Sequence, residues 1–179
     1  TSTVYYYGAS HNRASAVTVS STEMTASETY KGRHVSSATV YDEYGIASEL
    51  RSRTYYFGYK GDELASLAHN VMLDSASARN VKDTTVYTYA TGDVLNYTTT
   101  YKGGTIANVI PGSSDILKSF VQYRGALRGE ELSDYALNYT GTGTNVSTTT
   151  VYYYASGTQN VRASSAKVSS SPMTVSETY

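Results

Sequence analysis

The sequence predicts an all-β protein made of tandem, tyrosine-rich β-hairpin repeats that form a spiral, solenoid-like or stacked sheet. Three observations predict this fold class: the composition, the alternation of residues within short segments, and long internal repeats. The 179 residues include 20 Tyr, 2 Phe and no Trp, and about fifty Ser and Thr, which is well above average usage. Tyr and Thr suit a pleated, half-buried surface, so the composition favours strands.

The strongest signal is a long internal repeat. Residues 3–30 read TVYYYGASHNRASAVTVSSTEMTASETY, and residues 150–179 read TVYYYASGTQNVRASSAKVSSSPMTVSETY. Both blocks carry TVYYY, then Arg-Ala-Ser, then Met-Thr-x-Ser-Glu-Thr-Tyr, which establishes a period of about 147 residues.

A shorter period lies inside the long one. Residues 61–89 and 129–154 both carry Gly-x-Glu-Leu, then Asn-Val, then Thr-Thr-Val-Tyr-x-Tyr. These matches predict one repeat module at 1–83, a second at 84–148 and the start of a third at 149–179.

Alternation of Tyr, Thr and Val between Gly-bearing turns predicts the individual strands. In chain order they are Thr3–Tyr7, Met24–Tyr30, Arg53–Tyr59, Thr84–Tyr89, Thr98–Tyr101, Phe120–Arg124 and Thr149–Tyr154. Residues 63–73 are compatible with a helix or a strand, and we interpret them as a strand because their counterpart at 131–139 is poor helix material. Ser113, Ser114 and Asp115 predict, as an alternative, a capped helical turn at Ile116.

Tyrosines at equivalent strand positions are predicted to pack or to mediate assembly, because Tyr buries a large ring and keeps its hydroxyl at a wet edge. These candidates are Tyr5, Tyr7, Tyr30, Tyr87, Tyr89, Tyr152, Tyr154 and Tyr179. The alternative is that exposed rows of Tyr bind sugars by stacking, as a multivalent surface.

Composition and charge limit the function classes. The net charge is −1 and only 16% of residues are charged, which argues against a nucleic-acid partner. The absence of Cys removes disulfides and thiolate metal sites. No apolar run approaches the ~20 residues that span a membrane, so we predict no membrane insertion. The sequence begins and ends within the repeated pattern, and we expect it to be a segment of a longer array.

We find no constellation that predicts catalysis. The histidines His11, His34 and His69 lie in different segments without ligand spacing, so no metal is expected. The acidic pairs Asp62-Glu63 and Glu130-Glu131 occupy the same repeat position, and we interpret them as turn and edge charges. The sequence therefore predicts no catalytic, cofactor-binding or metal-binding residue, and no enzyme.

Three Asn-x-Ser/Thr sequons predict possible glycosylation. Their acceptor residues are Asn96, Asn138 and Asn145.

The order Gly-x-x-Leu, polar turn, Thr-x-Tyr-x-Tyr and a further Gly, at residues 61–92 and 129–157, resembles YD/RHS repeats. Tyr41-Asp42-Glu43-Tyr44-Gly45 adds to the likeness. This resemblance implies β-hairpins that coil into a long spiral sheet. Over the whole chain, the recurring TVYYY, SETY and GDEL segments resemble repeats of very large bacterial surface proteins.

These likenesses imply a structural segment of an extracellular filament or cell-surface fibre. Its expected partners are adjacent repeats or copies of itself in a head-to-tail polymer, with glycans as a further possibility. Two alternatives stay open: an adhesive, carbohydrate-binding stalk, and a YD/RHS-type shell that encloses a toxin.

Overall fold

A computed structural model describes residues 1–17, 22–31, 50–73, 79–103, 115–165 and 171–179. Within these ranges the chain forms twelve β-strands and one short 3-10 helix, and it contains no α-helix. Every strand pairing with an assigned register is antiparallel. The prediction of an all-β fold is confirmed, and its architecture is an open antiparallel sheet.

The strands are numbered in chain order. They are β1 (Ser2–Tyr7), β2 (Asn12–Arg13), β3 (Met24–Tyr30), β4 (Leu50–Phe57), β5 (Leu64–Leu73), β6 (Arg79–Tyr89), β7 (Leu95–Lys102), β8 (Ile116–Arg124), β9 (Leu132–Tyr139), β10 (Val146–Ser156), β11 (Gln159–Arg162) and β12 (Met173–Thr178). The 3-10 helix covers Ala14–Ala16.

The chain divides into two compact units. The first contains residues 1–86 and 102–115, and the second contains residues 87–101 and 116–179. In the first unit the hydrogen-bonded strand order is β2-β1-β3-β4-β5-β6. In the second, the order runs from the end of β6 through β7, β8 and β9 to β10, which also pairs with β11 and β12.

The predicted module boundaries concern the repeated sequence rather than these compact units. The modules at 1–83, 84–148 and 149–179 therefore stay a prediction.

All seven predicted strand segments fall on observed strands, and one of them extends beyond its strand. The segment predicted to reach Tyr59 ends at Phe57, because Gly58 adopts a φ of 109° and leaves the extended region. A turn follows, in which the Asp62 amide donates to the Tyr59 carbonyl at 2.8 Å.

The two segments with a helical alternative are also strands. Residues 64–73 form β5, so the strand interpretation is confirmed there. The helical turn predicted at Ile116 is wrong, because Ile116 begins β8 and pairing with β9 extends the backbone. Its proposed cap residues Ser113 and Ser114 lie outside the described residues.

The core of the first unit lies on one face of the sheet. Alternate residues of each strand point to the same side, so apolar side chains from β1, β3, β4 and β5 converge there. The buried members are Val4, Tyr6, Ala26, Tyr30, Leu50, Tyr55, Leu67 and Val71. The second unit buries Val94, Ala136, Tyr154 and Ala163.

Gly143 occupies a position in the second unit that excludes any side chain. Its φ is 75°, and a Cβ there would lie 2.6 Å from the Leu117 nitrogen. We expect Gly143→Ala to lower the free energy of unfolding by about 1–3 kcal/mol. The matched control is Gly141→Ala, where a Cβ meets nothing within 4 Å, with an expected change within about 0.5 kcal/mol. Equal urea midpoints for the two variants would contradict this account of the turn.

Candidate functional site

The first TVYYY block forms β1, which pairs with β3. Val4 lies opposite Glu28, Tyr6 lies opposite Ala26, and the register shifts after Tyr6. On its other edge β3 pairs with β4, where Glu28 lies opposite Arg53. Glu28 therefore lies in the middle of three strands, with a neighbour on each side.

The second TVYYY block forms β10, which pairs with β12 in the same register. Val151 lies opposite Glu177, Tyr153 lies opposite Val175, and the register shifts after Tyr153. Each of these residues corresponds by sequence to its counterpart in the first block. The two blocks therefore match in their strand pairing as well as in their sequence.

A threonine marks the register shift in both blocks. The Thr25 hydroxyl donates to the carbonyl oxygens of Tyr6 at 3.4 Å and of Gly8 at 3.0 Å. The Thr174 hydroxyl likewise donates to the Tyr153 carbonyl at 3.2 Å. A bulge leaves one residue without a partner on the opposite strand, and both blocks use the hydroxyl of that residue to satisfy the backbone.

A short arm pairs with the end of the TVYYY strand in each block. In the first, Arg13 of β2 lies opposite Tyr6. In the second, Arg162 of β11 lies opposite Tyr153. The shared Arg-Ala-Ser sequence therefore begins at the same pairing position in both blocks.

The first block buries a charged group that we call the Glu28 cluster: Tyr6, Glu28, Tyr30 and Arg53. The Tyr6 hydroxyl donates to Glu28 Oε2 at 2.8 Å, and the Tyr30 hydroxyl donates to the same oxygen. Arg53 Nε donates to Glu28 Oε1 at 2.6 Å, and a second guanidinium nitrogen also contacts this oxygen.

The Glu28 cluster is almost fully removed from solvent. Glu28 and Arg53 are each 2% exposed, and Tyr6 is 0% exposed. A buried carboxylate is tolerated when a cation and hydrogen-bond donors satisfy it, and this cluster provides both. Burial, followed by the charge of Glu28, raises the pKa of Tyr6 to about 12. Burial, followed by the hydrogen bond to Glu28, raises the pKa of Tyr30 above its ordinary value.

The second block contains the same tyrosine–glutamate arrangement, which we call the Glu177 cluster: Tyr153, Glu177 and Tyr179. Tyr153 donates to Glu177 Oε2 at 3.1 Å, and Tyr179 donates to it at 2.5 Å. The bond from Tyr179 to Glu177 raises the pKa of Tyr179. In the described part of the chain, no cation pairs with Glu177. Tyr179 is 72% exposed, and every residue of β12 is exposed.

In the predicted second module, at residues 84–148, both charges are replaced. The sequence SETYKG at 27–32 aligns with TTTYKG at 98–103, so Thr99 takes the position of Glu28. The register shift of β4 follows Tyr55 and that of β8 follows Gln122. Two residues before each shift lie Arg53 and Phe120. Where the glutamate becomes threonine, the arginine therefore becomes phenylalanine.

Phe120 has aromatic neighbours in place of an ion pair. Its ring centroid lies 5.3 Å from that of Tyr97 and 6.0 Å from that of Tyr135. The predicted module at 84–148, which we call the neutral module, thus fills the corresponding position with ring contacts. The predicted module at 1–83, which we call the charged module, fills it with an ion pair.

The acidic turn residues also form a repeated arrangement. Glu63 accepts hydrogen bonds from the Met24 amide at 2.9 Å and from the amide two residues before it at 3.0 Å. Glu131 accepts from the Leu95 amide at 2.8 Å and from the amide two residues before it, also at 2.8 Å. The bond from Met24 lowers the pKa of Glu63. Both glutamates connect a turn to the start of another strand.

The predicted packing tyrosines occupy different environments. Tyr30 and Tyr154 are buried, and Tyr5 is 49% exposed. The partly buried ones are Tyr7, Tyr87, Tyr89 and Tyr152. Sequence reasoning missed Tyr6, the central Tyr of the first TVYYY, which lies in the core. Tyr6 alternates with Val4 along the strand, and both lie on the face that also carries Glu28. This alternation could have identified Tyr6 as a core residue.

The three sequon asparagines lie at the surface or partly buried. The Asn96 side-chain oxygen accepts a bond from Gln122 at 3.0 Å. The exposed Asn138 donates to Thr148 at 3.0 Å, and Asn145 is exposed. Their glycosylation stays a prediction.

The histidines lie apart in the structure. His11 is in a turn, His69 is buried with its Nδ1 2.9 Å from the Thr84 hydroxyl, and His34 lies outside the described residues. Among described residues, no group of three or more His, Asp or Glu side chains has the arrangement of a metal site. The same residues contain no helix with the length and hydropathy needed to cross a membrane.

Comparison with known proteins yields no relative. No protein-family model, no curated protein and no solved structure matches the chain.

Proposed function

We propose that this chain is a structural segment of a tandem-repeat β-protein, and that such segments build an extracellular filament or cell-surface fibre without catalysis. The observation that supports this most is the identical pairing of two blocks about 147 residues apart. The extracellular setting is supported by the resemblance to bacterial surface repeats.

The pairing supports a structural repeat, because unrelated strands are not expected to share so many local features. Both blocks place glutamate opposite valine, shift register after the same tyrosine, and use a threonine at the shift. The pair Thr3–Thr29, with hydroxyl oxygens 3.2 Å apart, recurs as Thr150–Thr178 at 3.0 Å. A structure that reproduces itself along the chain extends by addition of further copies.

The edges of the sheet support addition rather than closure. A strand that ends a sheet exposes unpaired N–H and C=O groups, and globular proteins usually blunt it with Lys, Pro or a covering element. β12 has the sequence MTVSET, which contains neither Lys nor Pro. Heterologous, head-to-tail contacts that do not close produce filaments.

An adhesive stalk is the second candidate, and exposed tyrosines favour it. Tyr59 is 87% exposed, Tyr179 is 72% exposed and Tyr5 is 49% exposed. Rings at the surface stack on sugars. Measurable affinity for a glycan panel, lost in the Tyr→Ala variants at these positions, distinguishes this function from a purely structural one.

The test of the structural proposal is the length of tandem arrays. Proteins with one, two and three copies of residues 3–149 are imaged by electron microscopy. The proposal predicts rods whose length increases by a constant amount per copy. Strings of separate globular particles, or compact particles of similar length, would contradict it.

A further inference from the structure

We infer that the outer edge of β12 accepts one further antiparallel strand with the sequence type of Leu50–Phe57, which places an arginine opposite Glu177. This inference names the partner of the proposed fibre segment, and it rests on that proposed function. It follows from the pairing of β3, the charge of Glu177 and the contrast with the neutral module.

Two equivalent strands, β3 and β12, are paired unequally. β3 pairs with β1 on one edge and with β4 on the other. β12 pairs with β10 in the same register as β3 with β1, and within the described ranges it has no second partner strand.

Burial follows the same contrast. Glu28 of β3 is 2% exposed and Ala26 is 0% exposed. Their counterparts on β12 are Glu177, which is exposed, and Val175, which is 38% exposed. A strand at the outer edge of β12 supplies the missing pairing on this side.

Charge complementarity indicates an arginine as the residue opposite Glu177. Glu28 and Glu177 each accept hydrogen bonds from two tyrosine hydroxyls through Oε2. In the Glu28 cluster, Oε1 is bound by Arg53 of the adjacent strand. The corresponding position beside Glu177 fits a guanidinium, which binds carboxylates through several N–H donors.

The strands β4 and β8 differ in the residue that they present at this position. β4 presents Arg53 beside a glutamate, whereas β8 presents Phe120 in the module where threonine replaces that glutamate. Glu177 belongs to the charged type. A phenylalanine beside it would leave the carboxylate without a cation as the edge becomes buried, which is unfavourable. The edge of β12 therefore selects the β4 type over the β8 type.

The test uses three synthetic peptides with the complete chain. The first has residues 50–57, the second has the same sequence with Arg53→Met, and the third has residues 117–124, which place Phe120 at the position of Arg53. Fluorescence anisotropy measures affinity. We expect the first peptide to bind at least about tenfold more tightly than either of the others, because a hydrogen-bonded charge pair forms only with it.

Hydrogen exchange locates the binding edge. The Tyr179 amide donates to Thr149 of β10 at 2.9 Å, so alternation along an antiparallel strand turns the amides of Thr178 and Ser176 to the outer edge. The first peptide is expected to slow exchange at these two amides. The variant Glu177→Gln is expected to remove the preference for arginine, and it leaves the fold intact because residue 177 is exposed.

The possible outcomes separate the two proposals. Equal affinity for the three peptides, or unchanged exchange at Ser176 and Thr178, would overturn the inference even if tandem arrays form rods. Selective binding at these amides supports the inference. The array images decide independently whether the proposed fibre role stands.

Discussion

Replacing Arg53 with methionine is expected to lower the free energy of unfolding by about 3–5 kcal/mol, the usual cost of leaving a buried charge without its partner. Methionine fills much of the same volume but cannot donate to Glu28. The carboxylate is 2% exposed, so water cannot replace the lost cation. Urea unfolding followed by circular dichroism measures the change.

Arg51→Met is the matched control, because Arg51 lies on the same strand and is exposed. Its expected effect is within about 0.5 kcal/mol. The double variant Glu28→Gln/Arg53→Met removes both charges and keeps an acceptor for the tyrosine hydroxyls. We expect it to be more stable than Arg53→Met alone, and the cycle then measures the coupling. Equal losses for Arg53→Met and Arg51→Met would show that the ion pair does not stabilise the sheet.

Alkaline pH is expected to unfold the protein through the Glu28 cluster. The folded-state pKa of Tyr6 is raised from 10.0 to about 12, so the folded protein keeps a proton that the unfolded chain loses. The stabilisation is complete below pH 10 and is lost as the pH rises through about 12. Each tyrosine with this behaviour contributes a slope of about 1.4 kcal/mol per pH unit, and Tyr30 shifts in the same direction.

The variant Tyr6→Phe isolates the contribution of one hydroxyl. It is expected to reduce the slope of stability against pH by about 1.4 kcal/mol per unit above pH 10. Tyr5→Phe is the control, because Tyr5 is 49% exposed and lies outside the cluster. Urea midpoints at a series of pH values from neutral to about 12 give both slopes. A Tyr6→Phe slope equal to that of the unsubstituted chain would exclude Tyr6 as a source of the alkaline loss.

Sequence alone predicts the strands that carry a clear alternation, because alternation is a property of neighbouring residues. The segment Met24–Tyr30 matches β3 at both ends. The end of β4 was missed because Gly58 terminates the strand through a positive φ. A glycine permits a positive φ but does not require it, so the sequence does not show where the strand ends. The short arms β2 and β11 were not predicted, because two or four residues carry no measurable alternation.

The Glu28 cluster could not be predicted from the sequence, because its residues come from different strands. Glu28 and Arg53 lie on strands that become neighbours only when the sheet order is known. Alternation along Met24–Tyr30 places Glu28 on the same face as Ala26 and Tyr30, and a carboxylate on an apolar face signals that a partner is required. The sequence also contains Thr99 at the position of Glu28 and Phe120 at the position of Arg53. The register of β8 was needed to show that these two replacements belong together.

We propose that repeated blocks of such a chain pair into one sheet in which each copy stabilises the next. Equilibrium unfolding of arrays with one, two and three copies of residues 3–149 tests it most directly. We predict that the urea midpoint and the dependence of the unfolding free energy on urea both increase with copy number, because interfaces between repeats add to the stability. A midpoint that does not change with copy number, with each copy unfolding on its own, would contradict the account.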